Sequence, residues 1–279
     1  CTFSGSLANH GGALFLNSPI EVKLEGINQF DSCRCNNNNP STSQGSIIFL
    51  QLRTTFFNLP STTIIENQTD ASKYLVYAYC SDFRCFNLKL HQNVTQNGFY
   101  IYGENGKTEL VSIYFKNAKT AIDVQTVAKT VEIIGCTFDD CQPGSLGSDY
   151  TVNIRSIFDV LFTQNTFNST DDNQRTPALY IQYYGRNLNI SNNKFINCNS
   201  LAHSKPSIKF DGYMPPDNYL QQIPNPGFQF NYNYMKNIGK GVKFGLFIFT
   251  LRNQENTTVE FCHNEIHECI NLNTNNNGY

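Results

Sequence analysis

The chain has no tryptophan, only two methionines, no surplus of basic residues and no long hydrophobic run. Charged residues make up 15% of the 279 positions, and the formal net charge is −2. Because no basic patch is present, neither nucleic acid nor an anionic membrane surface is an expected partner. The apolar stretch Val242–Leu251 covers only ten residues, whereas a membrane-spanning helix needs about 20. This stretch therefore predicts a buried strand and not a membrane span.

Motifs for several common kinds of chemistry are also missing. The sequence has no nucleophilic serine or cysteine motif, no phosphate-binding loop and no paired zinc knuckle. Cys33-x-Cys35 stands alone, whereas a zinc site needs two ligand pairs at suitable spacing. We therefore expect neither a metal nor a cofactor. The polar residues 31–46 around this motif predict a loop insertion.

A second insertion is predicted at residues 211–227, which hold four of the ten prolines. A proline-rich segment is unsuited to central strands and is expected to project from the fold. Insertions in repeat proteins often carry binding, so this segment is a candidate partner contact. The alternative is a packed surface loop.

What the sequence does contain is a recurring pattern of eleven residues. In its clearest copy, Leu188–Cys198, apolar and polar residues alternate, Asn192-Asn193 follow, and Phe195 and Cys198 come last. The alternation predicts a strand with one buried face. The asparagines predict a tight bend, because asparagine tolerates the left-handed conformation. Each copy thus predicts a strand, a bend and a second strand.

The position of Phe195, which we call the anchor, recurs along the chain at steps of 23–40 residues. The predicted anchors are Phe3, Phe30, Phe57, Phe83, Phe115, Phe138, Phe167, Phe195, Met235 and Ile266. Apolar pairs precede anchors by seven and five residues, and they include Leu50 with Leu52, Val76 with Ala78, Val131 with Ile133 and Val160 with Phe162. Such a period is typical of stacked repeats.

A third apolar run lies between successive anchors, as at Ala121–Val124 and Leu179–Ile181. Each repeat of roughly 29 residues therefore has room for three short strands. A single repeat cannot bury its apolar face. We expect the copies to stack, with like strands paired in parallel around a narrow core.

In this pattern the chain resembles the right-handed parallel β-helix of the pectin-lyase-like superfamily, the fold of pectate lyases and phage tailspikes. Gly11-Gly12-Ala13-Leu14 also resembles the Gly-Gly-Ala-Ile tetrapeptide of polymorphic outer-membrane and related protist surface proteins. The resemblance implies an all-β solenoid over residues 1–279, with about ten coils of roughly 29 residues. Open ends would expose strand edges, so we expect a piece of a longer chain, open at both ends. The resemblance specifies fold and not function.

The ten cysteines allow two interpretations. Cys80 with Cys85, and Cys136 with Cys141, each flank an anchor at the same separation, which predicts two local disulfides if the protein is secreted. Alternatively, cysteines fill the stack as small buried hydrophobic residues. One inward-facing position three residues after the anchor is shared by Cys33, Cys141, Cys198 and Cys269.

Five sequons make candidate N-glycosylation sites of Asn67, Asn93, Asn168, Asn189 and Asn256. Their number is what the composition predicts by chance. Asn189 lies between inward-facing Leu188 and Ile190, so its side chain is expected to face solvent. Cysteines, sequons and resemblance together favour an extracellular or cell-surface location.

Polysaccharide cleavage would require clustered carboxylates at set separations. The candidates are Asp139-Asp140 and Asp171-Asp172, in consecutive repeats. The Asn-Thr-Asp, Gly-His-Gly and Arg-x-Lys patterns of polygalacturonases are missing, and Asn9-His10-Gly11-Gly12 is a poor substitute. The sequence also has no cluster of acids such as calcium-dependent lyases need. We therefore expect no catalytic residue.

The expected function is that of a non-catalytic structural segment in a filament, coat or adhesin. Its partners would be other protein subunits or neighbouring segments of the same chain. The alternative is a β-helix that binds or cleaves carbohydrate, in which tyrosines such as Tyr183 and Tyr184 stack on sugars.

Overall fold

The computed structural model describes residues 1–8, 12–17, 21–35, 47–60, 63–66, 74–103, 106–125, 130–141, 150–156, 159–170, 177–183, 187–198, 206–212, 227–238, 247–251 and 258–269. Within those ranges the chain forms strands and no helix. The strands are β1 (Thr2–Ser4), β2 (Leu7–Ala8), β3 (Leu14–Asn17), β4 (Glu21–Lys23), β5 (Asn28–Asp31), β6 (Arg34–Cys35), β7 (Ile48–Leu59), β8 (Thr63–Glu66), β9 (Tyr74–Phe86), β10 (Lys89–Tyr102), β11 (Lys107–Val111), β12 (Tyr114–Ala118), β13 (Ile122–Gln125), β14 (Thr130–Ile134), β15 (Thr137–Asp139), β16 (Val152–Ser156), β17 (Asp159–Thr163), β18 (Thr166–Asn168), β19 (Leu179–Tyr183), β20 (Asn187–Ser191), β21 (Lys194–Ile196), β22 (Ile208–Gly212), β23 (Gly227–Asn231), β24 (Tyr234–Lys236), β25 (Phe247–Leu251), β26 (Thr258–Glu260) and β27 (Glu265–His267).

All strand pairings among the described residues are parallel, and from β11 onward each strand pairs with the strand three places further along. Apart from the short β2–β6 pair, the pairings form three ladders, in which like positions of successive repeats lie side by side. This is the arrangement that parallel stacking of a three-strand repeat requires.

The first ladder, the anchor ladder, confirms eight of the ten predicted anchors. It runs through Phe3, Phe30, Ile65, Leu90, Phe115, Phe138, Phe167, Phe195, Met235 and Ile266. The two predictions at Phe57 and Phe83 are wrong, because Ile65 and Leu90 occupy those places in the register.

Phe57 and Phe83 belong instead to the second ladder. There they align with Val22, Thr108, Val131, Val160, Leu188, Phe228 and Val259. The error arises because β7 and β9 are 12 and 13 residues long and run through two ladders as single strands. No break in the sequence marks the change of ladder.

The third ladder contains the predicted third apolar run. Its inward positions include Leu14, Ile48, Val76, Phe99, Ile122, Val152, Leu179 and Ile208. Leu50 and Ala78 also pair here. The prediction that Leu50 and Val76 begin apolar pairs ahead of the anchors is therefore wrong. β25 continues this ladder and confirms a strand within the apolar stretch 242–251.

One continuous hydrophobic core lies between the ladders. The anchor phenylalanines stack on one another within it. Ring centroids lie 5.4 Å apart between Phe115 and Phe138, 4.5 Å between Phe138 and Phe167, and 5.1 Å between Phe167 and Phe195. These distances are close to the spacing of neighbouring strands, so each ring packs on the ring of the next repeat.

An asparagine ladder, formed by Asn165, Asn193, Asn233 and Asn264, runs beside the phenylalanines. The Asn193 Oδ1 accepts from the backbone N–H of Asn165 at 2.9 Å and from its Nδ2 at 3.1 Å. The Asn193 Nδ2 donates to the Phe162 carbonyl at 3.0 Å. Asn233 and Asn264 repeat the pattern. A buried polar side chain is tolerated because its hydrogen bonds are satisfied.

Left-handed bends flank the anchor strands. Backbone φ angles of 49–65° occur three residues before the anchor at Asn87, Ser112, Gly135, Gln164, Asn192, Tyr232 and His263, and two residues after it at Ser32, Asn117, Asp140, Asn197, Asn237 and Glu268. The predicted bend at Asn192 is confirmed. Asn193 has a different role, as a member of the asparagine ladder.

Replacing Asn192 by alanine is expected to destabilise the protein by about 1 kcal/mol, because alanine is strained in the left-handed region. Asn192→Gly should be neutral within about 0.5 kcal/mol, since Gly135 holds the equivalent place two repeats earlier. Denaturant unfolding of the two variants checks this. Equal losses of stability in the alanine and glycine variants would show that the left-handed backbone angle does not determine which residue is preferred at position 192.

The chain is thus all-β, with parallel strands stacked in sheets, an arrangement compatible with a β-helix-like solenoid. Its organisation as a single solenoid over residues 1–279 stays a prediction. Of the predicted insertions, Asp31 ends β5, Arg34–Cys35 pair with Leu7–Ala8, and Asp211 and Gly227 lie in strands. The remaining parts, 36–46 and 213–226, lie outside the described residues.

Candidate binding face

The outward side of the third ladder is lined by aromatic rings and hydrogen-bonding side chains. In β13, Ile122 and Val124 are buried in the core, so the alternation of the strand turns Asp123 and Gln125 outward. We call the equivalent positions the outer face. One column holds Phe15, Phe49, Tyr77, Tyr100, Asp123, Asn153, Tyr180 and Lys209, and the other holds Tyr79, Tyr102, Gln125, Arg155, Gln182 and Asp211.

The first half of the outer face is an aromatic strip. Ring centroids lie 5.5 Å apart for Phe15 and Phe49, 5.1 Å for Phe49 and Tyr77, and 4.5 Å for Tyr77 and Tyr100. Burial raises the pKa of both the Tyr77 and the Tyr100 hydroxyl. Both phenols are therefore neutral hydrogen-bonding groups at physiological pH.

Asp123 follows the aromatic strip and is held from two sides. The Tyr74 hydroxyl donates to its Oδ2 at 2.9 Å, and the Gln125 Nε2 donates to its Oδ1 at 3.3 Å. The Tyr74 ring lies 5.3 Å from that of Tyr100. These contacts fix the carboxylate in one orientation and bury it almost completely.

Asp211 is held in a similar way further along. It accepts from the Tyr180 hydroxyl at 3.1 Å and lies 2.7 Å from the Lys209 Nζ. That ammonium group also lies 5.1 Å from the centroid of the Tyr180 ring, within the range of a cation–π contact.

A shallow groove of about 210 Å³ is lined by residues of β13, β16 and β19, with Asp123 at one side. Its polar lining consists of Asp123, Gln125, Asn153, Arg155, Tyr180 and Gln182. The exposed Arg155 Nε donates to the Gln182 Oε1 at 2.8 Å. Amides, a guanidinium, a carboxylate and the Tyr180 phenol together can bind a hydroxyl-rich ligand, since they combine hydrogen-bond donors and acceptors.

The separation between the Asp123 and Asp211 carboxylates differs from that of the two catalytic carboxylates of a glycosidase. They are three strand steps apart, about 14 Å at the usual spacing, whereas glycosidase carboxylates lie roughly 5–9.5 Å apart. Each is also engaged by a tyrosine hydroxyl. The arrangement suits binding better than acid–base chemistry.

The acids predicted from sequence lie elsewhere. Asp139 belongs to the anchor ladder, and Asp140 occupies a left-handed bend, where its Oδ1 accepts from the backbone N–H and the hydroxyl of Thr170, both at 2.8 Å. Asp140 thus links its bend to the next repeat. Burial, with Asp139 as a smaller cause, raises the pKa of Tyr114 to about 12. Asp171-Asp172 and Asn9-His10-Gly11 lie outside the described residues.

All nine cysteines whose side chains the structure describes are free thiols. Cys80, Cys85, Cys136 and Cys141 are buried in the core, and the two disulfides proposed for them stay a prediction. The inward-facing cysteine position is confirmed for Cys33, Cys141 and Cys198, which are buried, whereas Cys269 is half-buried. In each of the four, Sγ lies 3.2–3.6 Å from the carbonyl oxygen two residues earlier. Within the described part of the chain, no group of three or more His, Cys, Asp or Glu could hold a metal ion.

The core thiols are expected to resist alkylation in the folded protein. Burial raises the pKa of Cys136 and Cys141 to about 12, from an ordinary value of 9.0. Such groups stabilise the fold fully below pH 9.0, and the stabilisation is lost as the pH rises towards 12. Iodoacetamide labelling with peptide mapping should modify Cys1 and Cys262 and spare these two. In denaturant without reductant, free thiols would leave Cys136 and Cys141 labelled along with Cys1 and Cys262. Continued protection of Cys136 and Cys141 under those conditions would establish their disulfide.

Of the predicted glycosylation sites, Asn168 and Asn189 lie on β18 and β20 and are half-buried. Asn189 lies between buried Leu188 and Ile190 and is turned away from the core, as predicted. Its Oδ1 is nevertheless buried and has no hydrogen-bond partner, so the side chain is not openly exposed. Asn67, Asn256 and the side chain of Asn93 lie outside the described part, as do Tyr184 and the side chain of Tyr183. Glycosylation stays a prediction.

Sequence reasoning missed the outer face. A signal was present, because Tyr77 and Tyr79 are followed at the same spacing by Tyr100 and Tyr102. Comparison of the chain with protein-family models, curated proteins and solved structures found no match. In the described ranges, no helix is long and apolar enough to cross a membrane.

Proposed function

We propose that the chain is a non-catalytic structural segment of an extracellular or cell-surface protein, as a component of a filament, coat or adhesin. It would be a right-handed parallel β-helix of the pectin-lyase-like kind, with about ten coils of roughly 29 residues. Its partners would be other subunits or neighbouring segments of the same chain.

The observation that carries the proposal is the continuity of the anchor ladder, from Phe3 to Ile266. Parallel hydrogen bonding of every repeat to the next distributes load along the stack and opposes local unfolding. The buried asparagine ladder adds side-chain hydrogen bonds in the same direction, such as Asn165 to Asn193. A rod of this kind would fix the distance between the groups attached at its two ends, and its flat faces would be available for contacts with other subunits.

Immunogold electron microscopy tests the location and the structural role together. Antibodies against the 187–194 region, where Asn187, Asn192 and Lys194 are exposed, should decorate fibres or a surface layer on unpermeabilised cells. Unlabelled intact cells, with label confined to the cytosol after permeabilisation, would rule the proposal out.

Carbohydrate binding is a second candidate function, favoured by the groove beside Asp123 and Tyr180. The aromatic strip extends from this groove at ring spacings of 4.5–5.5 Å. An extended saccharide lying along the stack would meet apolar ring edges first and hydrogen-bonding groups next.

A polysaccharide panel, read by calorimetry and by release of reducing ends, tests this candidate. Binding should weaken about tenfold in Arg155→Ala and in Tyr180→Ala, and should be unchanged in the control Tyr114→Phe on the anchor ladder. Absence of binding to all neutral and acidic polysaccharides would eliminate it. Release of reducing ends by the unmodified chain would instead establish an enzyme.

A further inference from the structure

Five of the 15 tyrosines lie on the two strands β9 and β10. They are Tyr74, Tyr77, Tyr79, Tyr100 and Tyr102, and all five are half-buried. The parallel register pairs Tyr77 with Tyr100 and Tyr79 with Tyr102. Phenol rings from neighbouring repeats therefore lie in contact at a surface that solvent reaches.

Tyr100 is in contact with two of the rings on β9. Its ring centroid lies 4.5 Å from that of Tyr77, with the two rings nearly parallel at 9°. It lies 5.3 Å from that of Tyr74, at an angle of 55°. Parallel rings meet face to face, whereas a tilted pair brings the edge of one ring toward the other. A bond between two ring carbons lies in the planes of both rings, so Tyr74 and Tyr100 are the better arranged pair for such a bond.

Tyr74 also has a base at its hydroxyl. That hydroxyl donates to the Asp123 Oδ2 at 2.9 Å, and Asp123 is only 8% exposed. A phenol that gives up an electron must also release its proton, and a carboxylate within hydrogen-bond distance can accept it. The structure thus places a proton acceptor at the phenol whose ring edge faces Tyr100.

A second pair of neighbouring tyrosines lacks these features and serves as an internal comparison. The ring centroids of Tyr150 and Tyr180 lie 5.5 Å apart at an angle of 29°. The Tyr180 hydroxyl has a carboxylate partner in Asp211. Tyr150, however, is only 2% exposed, and its hydroxyl has no hydrogen-bond partner among the described residues. Its proton therefore has no acceptor, although the two rings are close.

We propose that Tyr74 and Tyr100 form a dityrosine cross-link between β9 and β10 when a haem peroxidase uses hydrogen peroxide as the oxidant. Each phenol loses one electron and one proton, with the Tyr74 proton passing to Asp123 and the Tyr100 proton to solvent. The two radicals join through the ring carbons next to the hydroxyls, and the two ring hydrogens return to the phenol oxygens. The electrons and protons that were removed reduce one hydrogen peroxide to two water molecules. The cross-link would join neighbouring repeats covalently, and the proposal rests in this respect on the structural function.

Treatment of the purified 279-residue chain with peroxidase and hydrogen peroxide tests the proposal. Dityrosine fluorescence should appear in a product that runs as a monomer on a denaturing gel. Trypsin should release the peptides 74–84 and 90–107 as one joined species, lighter than their sum by two hydrogens. Fragmentation in the mass spectrometer should locate the bond at Tyr74 and Tyr100.

Three variants separate this cross-link from general oxidation of tyrosines. Tyr74→Phe and Tyr100→Phe should each abolish the joined peptide. Asp123→Asn keeps a hydrogen-bond acceptor but removes the base, so the joined peptide should form at least about tenfold more slowly. Tyr232→Phe is the control and should leave the yield unchanged, because this exposed ring stacks on His263 and not on another tyrosine. Circular dichroism confirms the fold of each variant.

Three results would overturn the proposal: no joined peptide, cross-links only between separate chains, or a full yield in Tyr74→Phe or at an unchanged rate in Asp123→Asn. A Tyr150–Tyr180 cross-link formed as fast as the proposed one would overturn it too, since closeness of the rings alone would then suffice. Surface labelling of cells together with a chain that forms no cross-link would leave the structural function standing and remove only the dityrosine.

Discussion

Asn193→Ala is expected to lower the free energy of unfolding by about 4 kcal/mol, since the loss of a buried hydrogen-bonding group leaves its partners unsatisfied. The substitution removes two hydrogen bonds. The backbone N–H of Asn165 loses its acceptor, the Asn193 Oδ1, and the Phe162 carbonyl loses its donor, the Asn193 Nδ2. Both bonds lie in the core, where the Asn193 side chain is fully buried. Denaturant unfolding followed by circular dichroism measures the loss.

Asn187→Ala is the matched control for this prediction. Asn187 lies on the adjacent strand β20, and its Nδ2 donates to Asp159 at 3.0 Å on the exposed surface. Its removal should change stability by less than about 0.5 kcal/mol. Similar losses in the two variants would show that the asparagine ladder contributes nothing beyond an ordinary surface contact.

Phe138→Ala should also destabilise the protein by about 4 kcal/mol, through lost burial and the cavity left behind. Phe138 is buried, and its ring stacks between those of Phe115 and Phe167 at 5.4 and 4.5 Å. The cavity would interrupt the anchor ladder in the middle of the stack, where β15 is paired with a strand on each side. Thermal and denaturant unfolding give the measurement.

Phe138→Leu should cost less than about 1.5 kcal/mol, since it keeps much of the apolar volume. The anchor ladder itself includes Leu90 and Met235, so an aliphatic residue fits this position. A leucine variant as unstable as the alanine variant would contradict packing by volume and would point to the ring stack itself.

The repeat could be predicted from sequence over most of the chain. From Phe115 to Ile266 each anchor is preceded at three residues by a left-handed position, such as Gly135 or Asn192, and there the predicted register is correct. The prediction fails at Phe57 and Phe83 because β7 and β9 continue from one ladder into the next. In such strands an apolar residue fits either ladder locally, and pairing with neighbouring repeats decides.

The candidate site was harder to predict, because its chemistry arises from stacking. Tyr74 and Asp123 are 49 residues apart in sequence and meet only when the repeats lie side by side. Asp140 shows the converse, since an aspartate singled out for chemistry hydrogen-bonds Thr170 in the neighbouring repeat. A repeat pattern fixes which residues share a column, but the groove depends on what each column holds in adjacent repeats.

The measurement that tests the account most directly is negative-stain electron microscopy of material purified from its native source, with and without reductant. The account predicts fibres or sheets with a regular subunit repeat, and fibres that survive reductant if the core thiols are free. Separate monodisperse rods in both conditions would contradict the structural role and leave carbohydrate binding at the groove as the function to pursue.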